Sequence, residues 1–294
     1  MKILIAISSK EFSGPTLDVG MNISRALNAS TTIVDVGEKI NELSTKDVSL
    51  ANELMDTWNI NRPGMDVLEW AYYYLIQNNF INEEKKQGSF KDFILDESVS
   101  NRTEIHLDGA KIKKINLILR NGDIITELRK EIRMYNYDLT IIGSSSKRNL
   151  AHDFIQYIES SILVVNNFNL KKRYRILLAV DGSKGTPKAV KYGVRVAQAF
   201  NIEITLITIS KNGFLEEGYK NAINRAKKML RRCAIKSNSI FEVGDPVKKI
   251  IDVAKDDHII IMGASNQSPI TEFFTGSKPL NVIQKSKCPV LIVK

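Results

Sequence analysis

Short runs of apolar, mostly β-branched residues alternate along the chain with longer stretches in which apolar residues recur every three or four positions. Residues 2–7 and 31–36 are two such runs, and residues 16–27 between them have the helical spacing. The short runs predict buried strands, and the helical spacing predicts a helix with one face in the core. A strand, a helix and a strand in this order form a βαβ unit, whose strands are parallel.

The same alternation returns after a long polar stretch. The later elements of the first half are predicted strands at 114–119, 138–143 and 162–165, and predicted helices at 124–134 and near 151–159. Such alternation is typical of α/β proteins, in which helices cover both faces of a parallel sheet. The basic residues 171–173, which follow the polar segment 166–169, are predicted to form a linker between two domains.

The polar stretch 38–110 interrupts the pattern and contains one strongly apolar helix after Gly64. Apolar and aromatic side chains cover most of the circumference of this helix, so it should be packed on more than one side. We expect Trp70, Tyr73 and Tyr74 to be buried, either by the sheet or by a second subunit. The alternative is a ligand lid or a docking element for a partner.

The second half of the chain repeats the first. Residues 175–180 match 2–7 at an offset of 173 positions, and Gly193 matches Gly20 at the same offset. An internal duplication explains this agreement and predicts two domains, 1–168 and 174–294.

Later matches show where the two halves differ in length. Asp245 matches Asp123 at an offset of 122, which is 51 smaller than the offset of 173 found earlier in the chain. The first half therefore contains 51 extra residues, which lie within 38–110. The strand-end glycines Gly143 and Gly263 are 120 positions apart, whereas the last strands are 128 apart. The first half therefore lacks eight residues after its strand-end glycine.

Charge is distributed unevenly in a chain of 294 residues with a net charge of +9. Residues 1–170 carry 19 Lys and Arg against 23 Asp and Glu, whereas residues 171–294 carry 23 against 10. A basic domain can bind nucleic acid, an anionic membrane surface or phosphate ligands. We favour a solvated helix surface, because the sequence contains neither a nucleic-acid motif nor aromatic residues interleaved with the basic ones. The basic residues of that helix are Arg225, Lys227, Lys228, Arg231 and Arg232.

Several classes of function find no support in the sequence. No apolar run approaches the 18 residues of a membrane span, and the first apolar run is too short for a signal peptide. Cys233 and Cys288 match no metal or redox spacing and fit a reducing cytoplasm. The histidines, His106, His152 and His258, lie in different predicted elements without ligand spacing.

A glycine-containing stretch follows the apolar run 258–262. It reads Gly263-Ala264-Ser265-Asn266 and is followed by Gly276-Ser277-Lys278. Glycines let a backbone approach a ligand closely, and N–H groups of a turn and of a helix start can hold phosphate. The stretch therefore predicts a phosphate site, with an ordinary strand-to-helix turn as the alternative.

The spacing Gly-x2-Asn-x9-Gly-Ser resembles the nucleotide motif of the universal stress protein family, Gly-x2-Gly-x9-Gly-Ser/Thr, with Asn266 at the second glycine position. Residues 179–183, 243–246 and 288–293 support the resemblance. It implies two tandem doubly wound α/β domains, each an open five-stranded parallel sheet with helices on both faces. The offsets between the halves add an insertion near 38–110 in the first domain.

The resemblance also implies a ligand site at the carboxyl ends of the strands. Asp181 would face adenosine, Ile209 would line the base site, and Met262 and Gly263 would flank the ribose and phosphates. Asp181 alone is equally well explained as a turn or N-cap residue. The phosphates would be held by Asn266, Gly276, Ser277 and Lys278, and the predicted site also includes Ala179 and Ser265.

The sequence therefore predicts a stress-related regulatory protein whose second domain binds ATP or a related adenine nucleotide, with Mg²⁺. The first domain should bind none, because Ser8 replaces Asp181 and Arg148-Asn149 replaces Gly276-Ser277. The last strands of the two domains could pair as a pseudo-dimer, or two chains could form a homodimer, and an unidentified protein would be the partner. The alternatives are a nucleotide-free interaction module and an enzyme with slow ATP hydrolysis, for which no base or nucleophile is visible.

Overall fold

The computed structural model describes residues 1–37, 64–81, 90, 96–99, 102–107, 112, 114–144, 155, 157–166, 168–169, 171–264 and 278–294. In this part of the chain the strands are β1 (Lys2–Ile7), β2 (Ser30–Gly37), β3 (Asp96–Val99), β4 (Arg102–Leu107), β5 (Lys114–Asn121), β6 (Leu139–Gly143), β7 (Ser161–Val165), β8 (Arg175–Ala179), β9 (Ile204–Ser210), β10 (Ser237–Val243), β11 (His258–Gly263) and β12 (Val290–Val293). The helices are α1 (Gly14–Ala26), α2 (Met65–Gln77), α3 (Ile124–Tyr135), α4 (Thr186–Phe200), α5 (Glu217–Arg232), α6 (Pro246–Ala254) and α7 (Lys278–Lys285).

All twelve strands form one sheet, in the order β10-β9-β8-β11-β12-β7-β6-β1-β2-β5-β4-β3. Five neighbouring strands of each half are parallel, as predicted for a doubly wound fold. The last strands of the two halves, β7 and β12, pair antiparallel and join the halves into one sheet. In each half the first strand lies in the middle, so the strand order reverses beside β1 and beside β8.

Helices cover both faces of the sheet and create two cores. Side chains of α1, α2, α4 and α5 fill one core, whereas those of α3, α6 and α7 fill the other. The strands alternate between the two cores because successive side chains point to opposite faces. In β1, Ile3 and Ile5 lie in the first core and Leu4 in the second.

Matching positions of the two halves have matching packing. A Cβ on Gly20 would lie 2.5 Å from Cδ1 of Ile5, and a Cβ on Gly193 would lie 2.5 Å from Cδ1 of Leu178. Both glycines therefore let a helix lie directly on the first strand of its half. Their equivalence agrees with the offset of 173 positions in the sequence.

The turns before α3 and α6 also match. Gly122 and Gly244 have φ values of +147° and +131°, a region that favours glycine. The next residue is the N-cap in each case: the Asp123 side chain accepts from Thr126 N at 2.9 Å, and Asp245 accepts from Lys248 N at 2.8 Å. Each cap satisfies a helix N–H that would otherwise have no partner.

The apolar helix of the 38–110 stretch, α2, covers the sheet beside β2 and β5. In sequence it lies between the second strand and the third parallel strand of the first half, as α5 does in the second half, but β3 and β4 also precede that third strand. The sheet does not bury Tyr73, whose exposed fraction is 41% within one chain. Its burial by a second subunit stays a prediction. Trp70 and Tyr74 are half-buried, and Tyr74 donates a hydrogen bond of 2.7 Å to Asp18 of α1.

The antiparallel strands β3 and β4, which the sequence analysis missed, extend the sheet beyond β5. Beneath α3, a buried ionic cluster ties β4 and β5 to this helix. Arg120 Nη2 lies 2.6 Å from Glu131 Oε2, and Arg102 Nε lies 3.2 Å from the same oxygen. Arg120 Nη1 lies 3.1 Å from Glu127 Oε2, and Glu104 pairs with Arg102.

The predicted linker packs against the second half where the structure describes it. The Phe168 and Tyr174 rings stack with centroids 4.6 Å apart. Nδ2 of Asn166 donates to the Cys288 carbonyl at 3.1 Å. Lys172 forms an ion pair of 2.7 Å with Asp256. The domain boundaries at 168 and 174 remain a prediction.

Candidate functional site

The carboxyl ends of β8 and β11 form the crevice at which the strand order of the second half reverses. In open α/β sheets, ligands bind in the crevice at such a reversal. Asp181 follows β8, Gly263 ends β11, and Ile209 lies near the end of the neighbouring β9. The fold therefore brings these three predicted site residues to one edge of the sheet.

The predicted phosphate residues are only partly covered by the structure. Ser265, Asn266, Gly276 and Ser277 lie outside the described residues. Lys278 is exposed at the first position of α7, on the side of the sheet that carries the second core.

Two glycine backbones touch at the crevice. A Cβ on Gly263 would lie 2.9 Å from the carbonyl carbon of Gly185, and a Cβ on Gly185 would lie 2.8 Å from the Ala264 carbonyl oxygen. Both glycines are needed for this close approach, because real Cβ atoms do not approach a backbone so closely. Gly185 is also the N-cap of α4. Neither glycine brings a side chain into the crevice.

Asp181 organises the loop between β8 and α4. Its Oδ1 accepts hydrogen bonds from Ser183 N at 3.0 Å and from Thr186 Oγ1 at 2.6 Å. Asp181 is exposed, and its other carboxylate oxygen, Oδ2, has no hydrogen-bond partner among the described residues. The turn role that the sequence left open is therefore present, and one carboxylate oxygen remains available to a ligand.

The other predicted residues near this edge are mainly packed. Met262 is buried in the second core, and Ala179 and Ile209 are half-buried against it. Their side chains can shape the wall of a ligand site on the second-core face. None of the three supplies a charge or a hydrogen-bonding side chain.

Sequence reasoning missed Tyr219, on the first turn of α5. Burial raises the pKa of its hydroxyl, and the charges of Asp181 and Glu216 act in the same direction. Its neighbour Gly218 lies beside the Asp181 loop, with its carbonyl carbon 3.7 Å from the position of a Cβ on Gly182. No local signal indicates this proximity, because it depends on how α5 crosses the sheet.

The corresponding edge of the first half has other chemistry. Ser8 stands at the position of Asp181, and Ser13 Oγ accepts from Ser8 N at 3.1 Å, so a hydroxyl closes the loop as Thr186 does in the second half. A Cβ on Gly143 would meet Thr16 Oγ1 at 2.9 Å instead of a glycine backbone. In the first half the threonine side chain therefore lies beside the strand-end glycine, whereas in the second half that place is taken by the backbone of a second glycine.

The three histidines are dispersed. His258 is buried, with Nδ1 2.9 Å from the Ala254 carbonyl oxygen and 2.7 Å from Asp257 Oδ1. His106 is half-exposed, with Nδ1 3.0 Å from Asn116 Oδ1, and His152 lies outside the described residues.

Over the described ranges, no group of three or more His, Cys, Asp or Glu side chains could hold a metal ion. The helices described there also include none that is long and apolar enough to cross a membrane.

Comparison with solved structures relates the whole chain to known folds. The crystal structure of a universal stress protein from Archaeoglobus fulgidus aligns with a TM-score of 0.62 at 16% identity, covering 100% of this chain and 96% of that one. A universal stress protein solved in complex with cAMP is 26% identical, covers 42% of this chain and 98% of its own, and has a TM-score of 0.36. The first of these likenesses shows that both halves share the α/β fold.

Comparison of sequences is more specific for the second half. The model of the universal stress protein family matches residues 172–294. A universal stress protein of Methanocaldococcus jannaschii is 41% identical over 135 residues, which cover 45% of this chain and 73% of that protein. The chain therefore belongs to the universal stress protein family.

Proposed function

We propose that the second half binds ATP or a related adenine nucleotide at the crevice between β8 and β11. The observation that carries the proposal is the meeting of Asp181, Gly185 and Gly263 at the reversal of strand order. The two glycines let the end of β11 and the start of α4 touch at the backbone, and Asp181 offers a carboxylate oxygen. The 263–278 sequence adds the phosphate-binding spacing. The cAMP of one family member is an adenine nucleotide, but for this chain the ligand class rests on these residues.

In this proposal Asp181 faces the adenosine, and Ala179, Ile209 and Met262 line the neighbouring wall. Asn266, Gly276, Ser277 and Lys278 hold the phosphates, and Ser265 belongs to the same site. The negative charge of the phosphates suits a half with a net charge of +13. A Mg²⁺ ion would accompany the phosphates and offset part of their charge.

The first half is, in the same proposal, a degenerate domain of the same fold that binds no nucleotide. The output is regulatory: the nucleotide changes the binding of a protein partner in a stress response inside the cytoplasm. Binding rather than hydrolysis is the proposed activity. The competing hypothesis is an interaction module of the same fold without a ligand.

Calorimetric titration of the whole chain with ATP and Mg²⁺ tests the site. Gly263→Ala and Gly185→Ala each place a methyl group against a backbone at the crevice, and affinity should fall at least tenfold, about 1.4 kcal/mol. Gly218→Ala is the matched control, because its Cβ would meet nothing within 4 Å. Gly276→Val should weaken binding similarly, and Asn266→Gly should tighten it or leave it unchanged.

All variants should first show the circular dichroism spectrum of the wild type. Equal affinities of the wild type, the two crevice variants and the control would mean that the ligand binds elsewhere. A folded wild type without binding at millimolar ATP would support the ligand-free interaction module instead.

A further inference from the structure

The sheet ends at β10, whose outer side carries no further strand in the described part of the chain. β10 pairs with β9 alone, in parallel register from Ser237 opposite Ile204 to Val243 opposite Ser210. An edge strand of seven residues presents a row of unpaired N–H and C=O groups to any extended chain that approaches it.

The hydrogen bonds between β9 and β10 identify the residues of β10 whose backbone groups point away from β9. Ile204 N donates to the Lys236 carbonyl at 3.1 Å, and Gly244 N donates to the Ser210 carbonyl at 3.0 Å. Even-numbered residues of β10 therefore direct their backbone groups toward β9. Because successive residues of a strand alternate in this direction, the free N–H and C=O groups belong to the odd-numbered residues. These are Ser237, Ser239, Phe241 and Val243.

The same residues place apolar surface on this edge. Phe241 is 41% exposed and Val243 is 47% exposed, although both lie in a regular strand. By the alternation of a strand, their side chains share one face with those of Ser237 and Ser239. Natural proteins usually protect a long edge strand with charges or a covering element. The four residues of β10 on this face carry no charge, and each is exposed in the described part of the chain.

A basic cleft continues this face toward α5. It has a volume of about 520 Å³ and is lined by Asn224, Lys227, Lys228, Arg231 and Ser237. Among the described residues, none of its three cationic side chains lies within ion-pair distance of a carboxylate. The edge therefore offers positive charge near Ser237 and apolar contact near Phe241.

We propose that the outer edge of β10 binds an extended acidic segment of a partner protein, which adds to the sheet as a further strand. Main-chain hydrogen bonds to Ser237, Ser239 and Phe241 would supply affinity, and side-chain contacts would supply specificity. The acidic residues of the segment lie over the cations of α5, and its apolar residues lie against Phe241 and Val243. This surface lies away from the β8–β11 crevice, so the inference does not depend on nucleotide binding.

The charges favour this occupant over two others. Two copies of the chain paired at β10 would bring two basic α5 helices together, and like charges oppose such a contact. A nucleic acid would use the cations but could not pair with the alternating N–H and C=O groups of a strand. An acidic extended segment uses both features.

The probe is a fluorescein-labelled peptide of about ten residues, titrated with the full chain by fluorescence anisotropy. Alternate residues of the peptide, which share one face of an added strand, are Glu in one half and Val in the other half. Ser239→Pro removes one outward N–H and leaves the ladder to β9 intact, as proline is tolerated at an edge strand. Peptide affinity should fall at least tenfold in this variant. Ser239→Ala keeps the N–H and should bind like the wild type. Circular dichroism confirms that both variants are folded.

The charge contribution is tested by reversal. The triple variant Lys227→Glu, Lys228→Glu, Arg231→Glu should lose at least tenfold in peptide affinity, and affinity of the wild type should fall with added salt. The control makes the same change in net charge at exposed lysines away from β10 and should bind nearly as well as the wild type. Its changes are Lys191→Glu, Lys285→Glu and Lys287→Glu.

Four results would overturn the proposal. The first is that the peptide does not bind at millimolar concentration, and the second is that Ser239→Pro binds it as tightly as the wild type does. The third is that single-stranded DNA competes with the peptide and binds more tightly. The fourth is that sedimentation shows a dimer of the wild type that Ser239→Pro no longer forms. The third result would assign the surface to nucleic acid, and the fourth would assign it to a second copy of the chain.

Discussion

Asp35, near the end of β2 in the first half, is a buried carboxyl group at the sheet edge. Burial raises its pKa from 3.8 to about 7, and the nearby Asp66 carboxylate acts in the same direction. A Cβ on Gly64, which precedes α2, would lie 2.7 Å from Asp35 Oδ2. The start of α2 therefore covers this carboxyl group and excludes water from it.

The raised pKa makes stability depend on pH. The unfolded chain loses the Asp35 proton near pH 4, whereas the folded chain keeps it until about pH 7. The free energy of unfolding should therefore fall as the pH rises between these values. Asp35→Asn mimics the protonated acid and should stabilise the fold at pH 8, by roughly 1–4 kcal/mol, with a difference that shrinks toward pH 4.

Urea unfolding at pH 4, 6 and 8 measures this dependence. Asp252→Asn, on the exposed side of α6, controls for the loss of one negative charge. Parallel stability curves for the wild type and Asp35→Asn would show that the carboxyl group titrates alike in both states.

Some residue roles could be predicted from sequence and others could not. Asp123 and Asp245 follow a glycine and precede a helical pattern, so local spacing identifies their turns. The contact between Gly185 and Gly263 has no local signature, because it joins two loops that are distant in sequence. By contrast, the apolar run 258–262 did predict a buried strand, and Met262 at its end is buried.

At the scale of elements, α3 is attached to β4 and β5 by charged side chains as well as by apolar contacts. Glu131 is fully buried and interacts with both Arg102 and Arg120, and its Oε1 accepts from the Tyr137 hydroxyl at 3.1 Å. Removing one charge from a buried pair costs about 3–5 kcal/mol, because the remaining charge has no partner. Glu131→Gln should therefore lower the free energy of unfolding by an amount of this order.

The matched control is Glu159→Gln, which breaks an exposed ion pair of 2.7 Å between Glu159 and Arg133. Arg133 belongs to α3, like Glu131. Exposed pairs contribute about 0–1 kcal/mol, so this variant should unfold nearly like the wild type. Urea denaturation of both variants at pH 7 compares them. Similar small losses would show that the cluster tolerates the loss of a charge through rearrangement.

Periodicity predicted most elements because a single buried face fixes the pattern of a strand or helix. It missed β3 and β4. In β4 the charged residues Arg102 and Glu104 are buried, and the opposite, apolar face is limited to Ile105 and Leu107 of the first core. These charges are satisfied by α3, so only the tertiary structure explains their burial. The helix α2 was predicted correctly, but its aromatic residues gave no indication that Tyr73 would lie on the side away from the sheet, exposed within one chain.

At the scale of the molecule, the two halves share a fold and meet through β7 and β12, yet their switch-point crevices differ. The second half has Asp181 and two touching glycines, whereas the first half has Ser8 and a threonine hydroxyl against Gly143. The offsets in the sequence predicted the duplication and the shorter loop of the first half. They carry no information on the pairing of the two last strands, since such pairing leaves no pattern in sequence. The expectation that these strands pair came from the family resemblance, and β7 and β12 do pair.

The stoichiometry of nucleotide binding tests the central claim most directly. Calorimetric titration of the full chain with ATP and Mg²⁺ should give one site per chain, and Gly276→Val should weaken that site at least tenfold. The matching change in the first half, Arg148→Val, should leave affinity and stoichiometry unchanged. Two sites per chain, or one site weakened by Arg148→Val and not by Gly276→Val, would contradict the assignment of binding to the second half.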